Sequence, residues 1–175
     1  MMTLAETILM TQIGYENLLA RITEKEKEYD QVRDHRQVAF ELSGDGWHDN
    51  PEFNRMQQLE ANLNHTLKTL NDRLDVIKFI DIHDGMRNVQ QVEIGSIVKL
   101  RRYDLADDSE TEEIWEIRGF DETNIKLKHL AYNAPLAEKI MHLHVADIAE
   151  EVQIGSRHFD IEVVALFKTR LLADI

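Results

Sequence analysis

The residues best equipped for chemistry crowd into one short stretch. Ser43-Gly44-Asp45-Gly46-Trp47-His48-Asp49-Asn50-Pro51-Glu52-Phe53 carries three carboxylates, an imidazole and an indole. Two glycines and an Asn-Pro pair make the stretch a turn. Asp favours turns and caps, which is the ordinary use of Asp45 and Asp49. Asn50 can cap a following helix, and Pro51 suits its first position. Glu52 would then be a first-turn acid stabilised by the helix dipole. Trp47 needs something to pack on, either a partner or its neighbour Phe53. Arg33, Arg36 and Arg55 lie close to the turn, where they face RNA or a protein partner, or pair with Asp30, Asp34 or Glu41. Elsewhere His142-x-His144 has the look of a metal pair, but it lacks a third ligand. The chain has no Cys, which removes disulfides, thiolate nucleophiles, CxxC zinc sites and iron–sulfur ligation. No phosphate-binding glycine loop, nucleophile elbow or Ser/His/Asp set is present.

The turn is positioned by two heptad runs. Before it, Leu18, Ile22, Lys25, Tyr29, Val32, Arg36 and Ala39 recur in steps of four and three, the seam of a coiled coil. Lys25 and Arg36 interrupt that seam, so the partner helix must tolerate or pair them. After it, Met56, Glu60, Leu63, Leu67, Leu70, Leu74 and Ile77 repeat the pattern to near Ile80. Each run of roughly 28–30 residues makes about 40–45 Å of helix. A tight connector between them predicts an antiparallel hairpin.

From Glu93 the period falls to two. Strands are expected at Ser96–Arg101, Glu113–Arg118 and Ile125–Leu130, with the acidic stretch Asp104–Glu112 as a hairpin loop. A short helix is expected over Ala134–Leu143 and a closing hairpin around Gly155-Ser156. The fold class is α+β, with a coiled-coil domain over 1–82, its tip at 43–52, and a β-rich domain over 92–175. The 175 residues carry 33 acidic and 20 basic side chains, a formal charge of −13. That balance argues against holding nucleic acid mainly through its phosphates. The first residues lack the basic and apolar pattern of an export signal, and no stretch reaches the ~20 apolar residues of a membrane span. A soluble, cytoplasmic protein is expected.

The order of these parts resembles the bacterial Gre transcript-cleavage factors. Met10-Thr11-Gln12-Ile13-Gly14-Tyr15 resembles the family's opening. Asp49-Asn50-Pro51-Glu52-Phe53 resembles its tip, Glu-Asn-Ala-Glu-Tyr. Asn133-Ala134-Pro135-Leu136-Ala137 with trailing Asp147 resembles its Asn-Ser-Pro-Ile stretch, and Phe159-Asp160-Ile161-Glu162-Val163-Val164 resembles its last strand. The resemblance covers roughly residues 10 to 167.

The resemblance implies an accessory factor, not an enzyme: a monomer that binds bacterial RNA polymerase, its β domain of FKBP-like fold docking at the rim of the secondary channel. The coiled coil would reach the active centre and the 3′ end of backtracked RNA, with no sequence-specific DNA binding. By this likeness Asp45, Asp49 and Glu52 are the catalytic candidates. Asp45 and Asp49 would help hold a Mg²⁺ shared with the polymerase, since Mg²⁺ takes hard oxygen ligands. Asn133, Ala134 and Pro135 would bind the partner. The tip is one residue longer than the family's, so Asp45 stands four residues before Asp49 where the family spacing is three. Occlusion of the channel without cleavage is the alternative, and a structural coiled-coil or interaction protein is a further one.

Overall fold

The computed structural model describes residues 7–173. The expected domain limits 1–82 and 92–175 therefore extend at each end into residues outside that range. The chain divides into two compact units, one containing Tyr15–Ile77 and the other combining Leu9–Gly14 with the chain from Lys78 onward.

Helix α1 (Gln12–Ser43), which belongs to the first unit from Tyr15 onward, and α2 (Pro51–Leu74) are joined by a 3₁₀ turn, Gly44–Asp49. They form the antiparallel hairpin the heptads predict. Leu18, Ile22, Val32 and Ala39 are buried on one helix and Phe53, Met56, Leu63 and Leu70 on the other. Val32, Met56 and Leu63 form a core flanked by Tyr29 and Leu59. The interrupted seam is resolved by pairing. Arg36 Nε lies 2.6 Å from Glu60 Oε2, whereas Lys25 stays within its own helix and pairs with Glu28.

The second helix is shorter than the seam suggests. It ends at Leu74, and Ile77–Phe79 is strand β2 of a two-stranded ribbon with β1 (Ile8–Met10). Val76, Ile77 and Ile80 are β-branched and satisfy either period. The neighbouring chain decides, because the Ile8 N–H donates to the Val76 carbonyl and the Ile80 N–H to the Met10 carbonyl.

The second unit holds a five-stranded sheet in the order β5-β4-β3-β7-β6. Its strands are β3 (Ile97–Asp104), β4 (Glu110–Arg118), β5 (His129–Ala131), β6 (Ile148–Ile154) and β7 (Arg157–Phe167). All neighbours are antiparallel except β5, which runs parallel to β4. Helix α3 (Pro135–Ile140) buries Leu136, Ala137 and Ile140 against Val98, Leu100, Ile117, Val152, Ile161 and Val163. A last helical turn, α4, spans Arg170–Ala173.

Two local readings shift. Glu110 and Glu112 belong to β4, not to a loop, because Arg101 on β3 pairs with both and Lys99 with Glu112. The alternation Ile125–Leu130 is not a strand over its length. The Asn124 side chain accepts the Leu127 N–H, and Asn124 and His129 exchange backbone hydrogen bonds. This closes a tight loop, so only His129–Ala131 reaches the sheet.

Candidate functional site

The hairpin tip is tied by hydrogen bonds and ring packing in which its acids take no part. Asn50 does most of that work. Its Oδ1 accepts the N–H groups of Glu52 (2.9 Å) and Phe53 (3.4 Å), capping α2. Its Nδ2 reaches back to the Ala39 carbonyl (3.2 Å) and to Ser43 Oγ. Trp47 folds inward, with ring centroids 5.0 Å from Phe53 and 5.8 Å from Phe40. The His48 ring covers another side of the indole, 3.3 Å away. Faces used in this way are not a free stacking platform for a nucleobase.

Asp45 and Asp49 are exposed and accept no hydrogen bond or ion pair among the described residues. Both lie on the 3₁₀ turn. With three residues per turn and 2.0 Å rise, positions four apart point about 120° away from each other and sit about 8 Å apart along the axis. The turn therefore presents two carboxylates on different faces. Their hard oxygens suit Mg²⁺, but no group of three or more His, Asp or Glu that could hold a metal is present among the described residues. The donor chemistry fits and the donor number does not. The tip can offer one carboxylate to an ion held elsewhere but does not itself make a metal centre. Glu52 sits in the first turn of α2 with its carboxylate 3.9 Å from Arg55. The other two nearby arginines also have acidic neighbours, Arg33 with Asp30 at 3.6 Å and Arg36 with Glu60.

The second group of predicted residues opens α3. Ala134 is its N-cap without a side-chain bond, and Pro135 occupies the first turn, exposed. Asn133 does not point its polar group at an external partner. Its Oδ1 accepts the Asp121 N–H at 2.9 Å, and its Nδ2 donates to Asp121 Oδ1 at 3.0 Å. Asp121 has φ +57°, a conformation that an Asx side chain tolerates and that this clasp holds. Thr123 Oγ1 accepts the Ala131 N–H at 3.0 Å, a second tie between the same two segments.

A further site is built around Glu122, whose function the sequence reading missed. Glu122 Oε1 accepts the Thr11 N–H at 2.7 Å, and its Oε2 accepts the Thr11 hydroxyl at 2.9 Å. Thr11 Oγ1 in turn accepts the Gly14 N–H at 3.2 Å, capping α1. Arg118 Nε approaches Glu122 at 3.7 Å and its Nη1 bonds Glu116, which also pairs with buried Arg87. Gly14 and Gly119 both face this carboxylate. A Cβ on either would overlap Glu122 Oε1, so each glycine is there for close approach. Thr-x-x-Gly at a helix start is the only local signal; its acidic partner lies 111 residues away.

His144 Nδ1 lies 3.4 Å from Asp147 Oδ2, but among the described residues His142 and His144 belong to no group of three side chains that could hold a metal. His142 takes φ +66° in a turn, while the His144 N–H donates to Asp147 Oδ2 at 2.7 Å. Asp147 therefore ties a turn.

No family model matches the sequence, and no curated protein matches it. Among solved structures, the chain is similar to the GreA factor homolog 1 (Gfh1) protein of Thermus thermophilus, at 18% identity over 93% of this chain and 99% of that one, TM-score 0.42. Gfh1 of Thermus aquaticus gives 19% identity with the same coverage and TM-score 0.42. The transcription elongation factor GreA/GreB of Nitrosomonas europaea gives 16% identity over 91% and 97%, TM-score 0.36. No helix among the described residues is long and apolar enough to cross a membrane.

Proposed function

We propose that this protein is an accessory transcription elongation factor that binds bacterial RNA polymerase in the cytoplasm and acts as a monomer. Its coiled coil enters the secondary channel, and the β-rich domain docks outside through the surface around Asn133, Ala134 and Pro135. The functional division is a rod over 1–82 and a docking domain over 92–175. The observation that carries the proposal is the tip. At the end of α1, whose 32 residues make about 48 Å of helix, a turn pinned by Asn50, Trp47 and Phe53 displays two carboxylates with no role in the fold. An acid at the end of such a rod can reach into a recessed active centre.

A Mg²⁺ pair in such a centre supplies charge stabilisation for the attacking and leaving oxygens of phosphodiester hydrolysis. What this chain contributes is a carboxylate oxygen in a fixed place. Asp49 is the better placed of the two, since it adjoins the capped start of α2. Asp45 lies between Gly44, with φ +50°, and Gly46, where the backbone is least constrained. The splay of the two acids favours a second reading, in which the rod occupies the channel and cleavage is weak.

The test is RNA shortening in a backtracked polymerase complex at limiting Mg²⁺, with wild type, Asp45→Ala, Asp49→Ala and a deletion of Gly46. Deleting Gly46 restores a spacing of three, which stacks both acids on one face of a 3₁₀ turn. Weak wild-type cleavage that rises in the deletion and vanishes with Asp49→Ala supports the metal role. Robust cleavage indifferent to both substitutions sinks it. Failure to co-elute with core polymerase sinks the whole proposal.

A further inference from the structure

The loop between β4 and β5 breaks the ordinary rule of surface composition. Ile125 is 71% exposed and Leu127 58% exposed. They alternate with Lys126 and Lys128, a pattern made for a half-buried strand, yet the loop keeps them out of the sheet. The loop is built to hold this arrangement. The Asn124 side chain accepts the Leu127 N–H at 3.2 Å, the Lys128 N–H donates to the Ile125 carbonyl at 3.2 Å, and Asn124 and His129 bond each other twice at 2.9 Å. Lys128 takes φ +55° and lays its amine 4.9 Å from the Trp115 ring centroid. Two large apolar side chains on an ordered, exposed loop are the kind of local inconsistency that marks a contact surface.

This loop is also latched to the surface that opens α3. The Asn133–Asp121 clasp and the Thr123–Ala131 bond tie the segment leading into the loop to the one that opens α3. Charge narrows the choice of partner. Lys126 is exposed and has no ion-pair partner among the described residues, in a chain of net charge −13. A cation between two apolar anchors complements an apolar protein surface that carries carboxylates, while the net charge of −13 on each copy makes two copies of this chain repel each other as wholes.

We propose that Ile125 and Leu127 are the apolar anchors of the docking surface, seated on an apolar, acid-bordered protein face of the polymerase, with Lys126 pairing to its acids. The Asn133 clasp presents them. The proposal rests on the polymerase reading above and names the contact that reading leaves open.

The experiment measures the affinity of full-length protein for core polymerase, using wild type, Ile125→Ser/Leu127→Ser, Lys126→Glu and Asn133→Ala. Sedimentation and far-ultraviolet circular dichroism are run on each. The double variant replaces solvent-exposed groups and keeps its fold. It is expected to bind at least about tenfold more weakly, as loss of a central apolar anchor does. Lys126→Glu should weaken binding several-fold at low salt and less at high salt. Asn133→Ala should fall between. Wild type that binds while the double variant binds within twofold overturns this proposal alone. Wild type that does not bind overturns the polymerase reading and this proposal with it. A wild-type dimer that the double variant dissolves assigns the loop to self-association and also overturns it.

Discussion

Replacing Glu122 by Ala tests the account of how Thr11 and Gly14 are held within the second unit. The substitution removes two hydrogen bonds from a charged acceptor, one from the Thr11 N–H at 2.7 Å and one from its hydroxyl at 2.9 Å. Thr11 is 6% exposed, so water cannot replace those bonds without opening the structure. Hydrogen bonds to a charged group contribute about 1.5–3 kcal/mol each, and a buried donor left unpaired costs in the same range. These contributions overlap, and the expected loss is about 2–4 kcal/mol. The diagnostic part is the coupling to Gly14. In the wild type, Gly14→Ala drives a methyl into Glu122 Oε1 and should destabilise. Without that carboxylate the nearest obstruction is Cγ of the buried Met10 at 2.8 Å, which must still shift. Ala then gains roughly 1 kcal/mol over Gly at a helical position. The same substitution should therefore cost clearly less in the Glu122→Ala background than in the wild type. Urea unfolding of the four proteins of the cycle gives the coupling, and amide exchange at Thr11 and Gly14 localises it. Equal cost for Gly14→Ala in both backgrounds refutes the reasoning.

Three other outcomes follow from particular contacts. Glu60→Ala should cost about 1 kcal/mol, tempered because Arg36 is 31% exposed, and Arg36→Leu/Glu60→Leu should recover it in thermal unfolding, since an apolar pair restores the seam. Asn133→Asp should cost about 1–2 kcal/mol by setting a second carboxylate against Asp121, read as faster amide exchange at Asp121 and relieved below about pH 4, where aspartate protonates. Burial, with the Arg118 charge second, holds the His129 imidazole below its ordinary 6.5. The unfolded chain therefore takes up the proton first, so stability should be complete above pH 6.5 and fall as the pH drops below it. His129→Gln should flatten unfolding curves in that window.

The hairpin was legible because burying a seam demands a repeat, and the repeat survives two charged interruptions. Even the pairing of Arg36 was implied by its place in the seam, although Glu60 as its partner was not singled out. What stayed hidden depends on residues far apart in the chain. Val76 to Ile80 fits helix and strand equally, and only the hydrogen bonds from Ile8 and to Met10 decide. Ile125 to Leu130 has the alternation of a strand, but the Asn124 side chain closes a turn first. At the candidate site the residue types were visible and their directions were not. Asn133 reads as a contact residue, yet both ends of its amide are used on Asp121. Trp47 had two equal readings until Phe40 and Phe53 were placed beside it.

The acids of the tip gain their interest from comparison with other acids in turns of the same chain. Asp104 accepts the Ala106 N–H at 2.9 Å and pairs with Arg157, Asp107 accepts the Ser109 N–H at 3.0 Å, and Asp147 accepts the His144 N–H at 2.7 Å. Each is the usual reason for aspartate in a turn, an acceptor close to a backbone donor. Asp45 and Asp49 occupy a turn and do none of this, because Asn50 has already taken the donors of the helix that follows. Without them the turn would keep its cap, its aromatic cluster and its bond to Ala39. Two like charges on these six residues add no bond to the fold, and under the proposed function they are the groups that would meet a metal or a basic wall in the partner. The 3₁₀ period then limits what one ion can collect, since it turns the second carboxylate away from the first.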